Sequence, residues 1–203
     1  MFKIIDLHNG QTVIHQVELD YIEQTLQEAF EIEYLEQLPQ ICWLSNEAVE
    51  GFNLDEPVLK TLAEYVQQNS VFLDSNADDV VDVNEKGCYF GFERIEENAD
   101  YHVAGTVKRN GKSLPGLRVK LSDVDVLLDD FCGFAFTNEH GFYKISFNVE
   151  DFCNLEMSVD FEGLPDLYLE IAQLDFESGD FQTIKHVSQP QTKATDIVCN
   201  VDL

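Results

Sequence analysis

Hydrophobic positions in this chain repeat in two different ways, and the change falls near residue 100. Before it, short extended runs alternate with helical stripes. Lys3 to Leu7 and Thr12 to Val17 read as strands on either side of Asn9-Gly10, a dipeptide suited to a tight hairpin turn with positive φ. Ile22, Leu26, Ala29 and Phe30 then recur at helical spacing, so a helix is expected over about Leu19 to Leu35, with Glu and Gln crowding its other face. Ile41 to Leu44 reads as a short strand. Asp55 is the expected N-cap of a second helix, with Pro57 in its first turn and Leu59, Leu62 and Val66 as its stripe to about Gln68. Val71 to Leu73 and Cys88 to Phe92 are again extended. Residues 1–97 are therefore expected to form a small α+β domain.

Beyond the polar stretch Glu96 to Asp100, the helical period disappears and a period of two replaces it. Leu117, Val119 and Leu121 alternate with Arg118 and Lys120, and Tyr143, Ile145, Phe147 and Val149 with Lys144, Ser146 and Asn148. Leu155, Met157, Val159 and Phe161 follow the same rule, as do Ile197, Cys199, Val201 and Leu203. Every second side chain of such a strand faces the core and its neighbours face water. Asn110-Gly111, Glu139-His140-Gly141 and Ser178-Gly179-Asp180 supply turns between the runs. Seven or eight strands without an intervening helix predict an all-β sandwich over residues 98–203.

Composition narrows the function classes. The 203 residues are 44% hydrophobic and include 15 Phe, ample material for packed cores. Thirty-nine acidic residues against 12 basic ones give a net charge of −27, which opposes contact with nucleic acid and anionic membranes. No apolar run approaches the roughly 18 residues of a membrane-spanning helix, and the N-terminus lacks the pattern of a signal peptide. Cys42, Cys88, Cys132, Cys153 and Cys199 are scattered and show no zinc spacing. They read as reduced thiols of a cytoplasmic protein.

The stretch from His102 to Phe147 carries Gly105, Leu114-Pro115-Gly116-Leu117, Val119, Asp123, Asp125, Asp129-Asp130, Gly133, Thr137, Gly141-Phe142, Ile145 and Phe147, in that order. Pro165-Asp166-Leu167-Tyr168 follows. Together these resemble the transthyretin-like or carboxypeptidase-regulatory-like superfamily over about half of the chain. The resemblance implies a rigid spacer or interaction module, of the kind attached to peptidases, cell-surface proteins and bacterial secretion proteins and effectors. Two related enzyme branches fail on the residues. Intradiol dioxygenases need a closely spaced His pair, and His102, His140 and His186 provide none. The purine-catabolic hydrolases end in Tyr-Arg-Gly-Ser, whereas this chain ends Asn200-Val201-Asp202-Leu203.

Two acidic groups deserve a ligand test. Asp74, Asn76, Asp78, Asp82 and Glu85 match a calcium-loop template, but Asp79 occupies the position that needs Gly, and the flanks are extended rather than helical. Asp123, Asp125, Asp129 and Asp130 suit either a cation or simple turn capping. The five histidines are isolated in sequence, no Ser-His-Asp or Cys-His order stands out, and no Gly-rich phosphate loop is present. No catalytic, cofactor-binding or metal residue is assigned, and no cofactor is expected. The expected function is a non-enzymatic adaptor that binds another protein, neither nucleic acid nor membrane, in a setting such as bacterial secretion or effector loading. The alternatives are an acidic inhibitor imitating DNA, a calcium-responsive module at Asp74 to Glu85, and an enzyme hidden in the N-terminal part.

Overall fold

A computed structural model describes residues 1–18, 41–72, 86–96, 98–123, 130–148, 167–188 and 194–203. Two compact units emerge. The first comprises Met1–Ile95 together with the turn Asp175–Asp180, and the second comprises Glu96–Leu174 and Phe181–Leu203.

In the first unit, strands β1 (Phe2–Asp6), β2 (Thr12–Val17), β3 (Ile41–Ser45), β4 (Val71–Phe72) and β5 (Lys86–Arg94) form one antiparallel sheet. Its order is β2-β1-β5-β3, with β4 also on β5. Ile4, Leu44, Phe90 and Phe92 point from one face into a core closed by helix α2 (Pro57–Asn69). Leu59, Leu62 and Val66 form its buried stripe as their spacing demands.

The expectation of an α+β domain is corrected here. Strand dominates the described chain, and its helices are two short ones, α1 (Asn46–Glu50) and α2. The β-branched and aromatic residues of β1, β3 and β5 pair into one continuous sheet, which outweighs the helical stripe of a single 13-residue segment. The helix expected over Leu19 to Leu35 lies outside the described residues. Helix α1 was not foreseen. Ser45 caps it by accepting from the Ala48 N–H at 3.1 Å. The residue capping α2 is Glu56 rather than Asp55, and it caps without a side-chain hydrogen bond. Pro57 removes one of the donors that a cap would satisfy. The β1–β2 turn is also wider than two residues. It spans Leu7 to Gln11 and closes through Asp6 N–H to Gln11 O at 2.9 Å.

The second unit holds nine strands among the described residues: β6 (Tyr101–Arg109), β7 (Lys112–Ser113), β8 (Arg118–Asp123), β9 (Asp130–Phe136), β10 (Phe142–Phe147), β11 (Leu167–Leu174), β12 (Phe181–Ser188), β13 (Asp196–Val198) and β14 (Val201–Asp202). One sheet runs β10-β6-β13, with β7 and β14 also on β6, and the other runs β12-β11-β8-β9. Val103, Tyr143, Ile145 and Phe147 of the first sheet share one core with Val119, Leu121, Leu169 and Ile171 of the second, which is compatible with a sandwich. The strand predicted at Leu155 to Phe161 lies outside the described residues.

The last run of alternating residues does not stay one strand. It divides into β13 and β14, both parallel to β6, with a break at Cys199-Asn200 opposite Gly105. A Cβ on Gly105 would lie 1.8 Å from the Cys199 carbonyl oxygen, so only glycine admits this close approach. Asn200 Oδ1 fills the gap in the ladder by accepting from Thr106 N–H and Thr106 Oγ1, each at 3.0 Å.

Candidate functional site

The calcium-like loop Asp74 to Glu85, together with Asp125 and Asp129, lies outside the described residues. Asp123 is buried at the end of β8. Among the described residues, no three His, Cys, Asp or Glu side chains are grouped to hold a metal ion.

Four of the five histidines have local surroundings only, His140 beside Glu139 at 3.8 Å and His8 beside Asp6. His15, His140 and His186 are exposed, and the ring of His8 meets Phe176 edge-on at 5.6 Å within the first unit. The fifth is in company that no linear reading shows. His102 on β6 pairs with Ser146 on β10 and with Asp196 on β13, so Ser, His and Asp stand abreast on three adjacent strands. The core takes Val103, Ile145 and Ile197, which leaves all three on the opposite, open face. His102 Nδ1 lies 2.9 Å from Ser146 Oγ.

This row differs from a hydrolytic triad in two respects. A triad joins its serine and its carboxylate through different ring nitrogens and aims backbone donors at the developing oxyanion. Here the sheet's N–H groups lie in the plane of the ladder and bond neighbouring strands, so none rises from this flat face toward Ser146. The row is a cross-strand hydrogen-bonded pair with an acidic neighbour.

A second cluster surrounds Asp6, which is 1% exposed. Its Oδ2 accepts from the Tyr65 hydroxyl at 2.8 Å and from Asn9 Nδ2 at 3.0 Å, and its Oδ1 accepts from His8 N–H at 2.8 Å. Asn9 Nδ2 also reaches the Tyr65 oxygen at 3.0 Å. Burial raises the Asp6 carboxyl above its ordinary range, and the donated hydrogen bonds and the charge of His8 only partly oppose the shift. Burial likewise raises Tyr65 and pushes the neighbouring Cys88 thiol up to about 12. Every oxygen of Asp6 is spent on bracing the β1–β2 loop against α2. Asp6, Tyr65 and Cys88 are all buried in this cluster.

The most distinctive feature of the second unit is its charge. Among the described residues, seven of the chain's 12 basic residues lie on its strands: Lys108, Arg109, Lys112, Arg118, Lys120, Lys144 and Lys185. Of the 39 acidic residues, five lie on these described strands: Asp123, Asp130, Glu170, Asp196 and Asp202. The excess that makes the chain −27 therefore lies outside these strands. On the open face of the β10-β6-β13 sheet, Phe142 is 42% and Val198 75% exposed; Val198 shares its row with Ala104 and Lys144, and Phe142 lies one row on, opposite Thr106. On the other sheet Phe131 is 50% exposed, with the Lys120 ammonium 5.8 Å from its ring centre. Arg118 bonds Glu170 at 3.3 Å and lies 4.3 Å from the Phe181 ring centre.

Comparison with known proteins leaves the family open. No family model matches the chain, and no curated protein matches it. Among solved structures, a 9R-lipoxygenase from Cyanothece PCC8801 is similar at a TM-score of 0.40 and 13% identity, over 78% of this chain. The chain spans 22% of that protein's length.

Proposed function

We propose that this chain is a non-enzymatic protein-binding or adaptor module that makes its contacts through the strands of the second unit. The observation that carries the reading is the coincidence of two properties on those strands. They are poor in acidic residues in a chain of net charge −27, and they expose Phe131, Phe142 and Val198. An acidic body keeps the chain soluble and disfavours self-association, while large apolar side chains on an acid-poor face supply what a protein interface needs. The resemblance to transthyretin-like domains supports the same reading, since such domains serve as spacers and interaction modules. It also supplies the setting, bacterial secretion or effector loading, while the scattered cysteines without zinc spacing support a cytoplasmic location. Among the described residues no helix is long and apolar enough to cross a membrane.

The test is crosslinking in the native host with wild type and with Phe142→Asp/Val198→Asp. A charge placed at the centre of an apolar contact costs several kcal/mol, on the order of a hundredfold or more in affinity. Wild type is expected to recover one protein in stoichiometric amount, and the double variant to lose it. Recovery of no stoichiometric partner, or turnover of a substrate by the purified chain, would overturn the reading.

A further inference from the structure

The tip of the β6–β7 hairpin reads Lys108-Arg109-Asn110-Gly111-Lys112, and all five residues are exposed. Asn110 has φ 52° and Gly111 φ 78°. Two consecutive left-handed residues match the twist of a two-residue hairpin and hold its ends in one geometry. Arg109 and Lys112 are direct cross-strand partners, and Lys108 pairs with Ser113 one step further in. Arg109 and Lys112 therefore project from the same side of the ribbon.

Like charges directly opposite each other weaken a strand pair. This chain has more than three acidic residues for each basic one, yet it places two cations opposite each other and a third next in sequence, on the other side of the ribbon. Among the described residues none of the three enters an ion pair, although Asp202 runs next to Lys108 in parallel register. The Arg109–Lys112 pairing costs stability. A planar guanidinium and a point ammonium held side by side suit carboxylates, the first as a fork and the second as a single charge.

We propose that this hairpin tip binds a short acidic segment of the partner protein. The inference rests on the adaptor reading and names the chemistry of that partner. A dense polyanion such as nucleic acid or an anionic membrane is opposed by the charge of −27, and a second copy of the chain brings another −27. A segment with a few carboxylates carries far less charge, so it meets much less of that opposition and can be held by the local cations.

The test uses a fluorescein-labelled peptide of five Glu-Gly repeats, titrated with the full chain at low salt. Lys108→Gln/Arg109→Gln/Lys112→Gln is expected to bind at least tenfold more weakly than wild type. Lys60→Gln/Lys86→Gln/Arg94→Gln, which removes the same charge elsewhere, is expected to stay within twofold. The melting temperature of the tip variant should be unchanged or higher, because like charges are relieved. Equal weakening by both variants, or none by the tip variant, would refute the site. So would tighter binding of a single-stranded oligonucleotide or of phosphatidylserine vesicles, or self-association in sedimentation that the tip variant abolishes. A host partner crosslinked equally by wild type and tip variant would leave the adaptor reading standing and this inference refuted. A peptide-binding tip with no host partner would do the reverse.

Discussion

The hydroxyl of Tyr143 donates to the carbonyl oxygen of Cys199 at 2.7 Å, across 56 residues of sequence and inside the core of the second unit. That carbonyl sits at the break between β13 and β14, where the strand turns away from β6, and it presses against Gly105. One hydrogen bond thus gives this buried acceptor a partner at the break in the ladder. Lys185 adds a second tie by donating its ammonium to the carbonyl of Asp202.

Tyr143→Phe keeps the ring and removes the hydrogen bond to the Cys199 carbonyl. The expected loss is about 1–3 kcal/mol in urea unfolding. Gly105→Ala drives a methyl group into the same carbonyl and should cost more, about 3 kcal/mol, at the upper end of overpacking costs. A Tyr143→Phe variant as stable as wild type would show that the break is held by other groups.

Thr137 is the corresponding brace at the Pro115-Gly116 turn. Its Oγ1 donates to Leu114 O at 2.7 Å and accepts from Leu117 N–H at 2.9 Å, and the residue is fully buried. Thr137→Val preserves shape and removes both bonds, for an expected cost of about 2 kcal/mol or more. Thr137→Ser, which keeps the hydroxyl, should lose less than half of that. Thermal unfolding of the pair gives the answer, and equal losses would mean that packing rather than hydrogen bonding matters here.

Asp6 gives a pH signature. Folding raises its pKa, so the folded state holds the proton more tightly than the unfolded chain does. Its contribution to stability is full below the ordinary value of 3.8 and is lost as pH rises through the higher folded value. The stability difference between wild type and Asp6→Asn should therefore fall across that window and become level above it. Unfolding curves collected in steps across the acid range measure the difference, and a rise with pH would reverse the sign assigned to burial.

Cys88 should be chemically silent while the protein is folded. With its thiol pushed up to about 12, the thiolate fraction at pH 8 is on the order of a thousandfold below that of an unfolded cysteine. Iodoacetamide followed by peptide mapping should label Cys88 in urea and spare it in buffer. Labelling at similar rates in both would show that the β3–β5 pair opens readily.

Much of the local structure could be read from residue order. Thr12 to Val17 is strand β2 over the predicted residues, the stripe Leu59, Leu62 and Val66 lies buried on α2, and Leu117, Val119 and Leu121 face the core as their alternation requires. Asn110-Gly111 turns where the dipeptide says it must. These features depend on side-chain spacing and backbone preference within a few residues, which are properties of the sequence alone. The absence of nucleotide and zinc motifs belongs to the same level.

Pairing across the chain belongs to tertiary structure. Only strand register sets Ser146 and Asp196 beside His102, and only the approach of Cys199 to Gly105 divides the last strand. The predominance of strand in the described chain follows from β1, β3 and β5 finding one another in one sheet. The concentration of basic residues on the second unit's strands likewise emerges once the strands are known. Hydrogen-bond ladders join residues tens of positions apart, and no periodicity within a segment encodes which ladder it will enter.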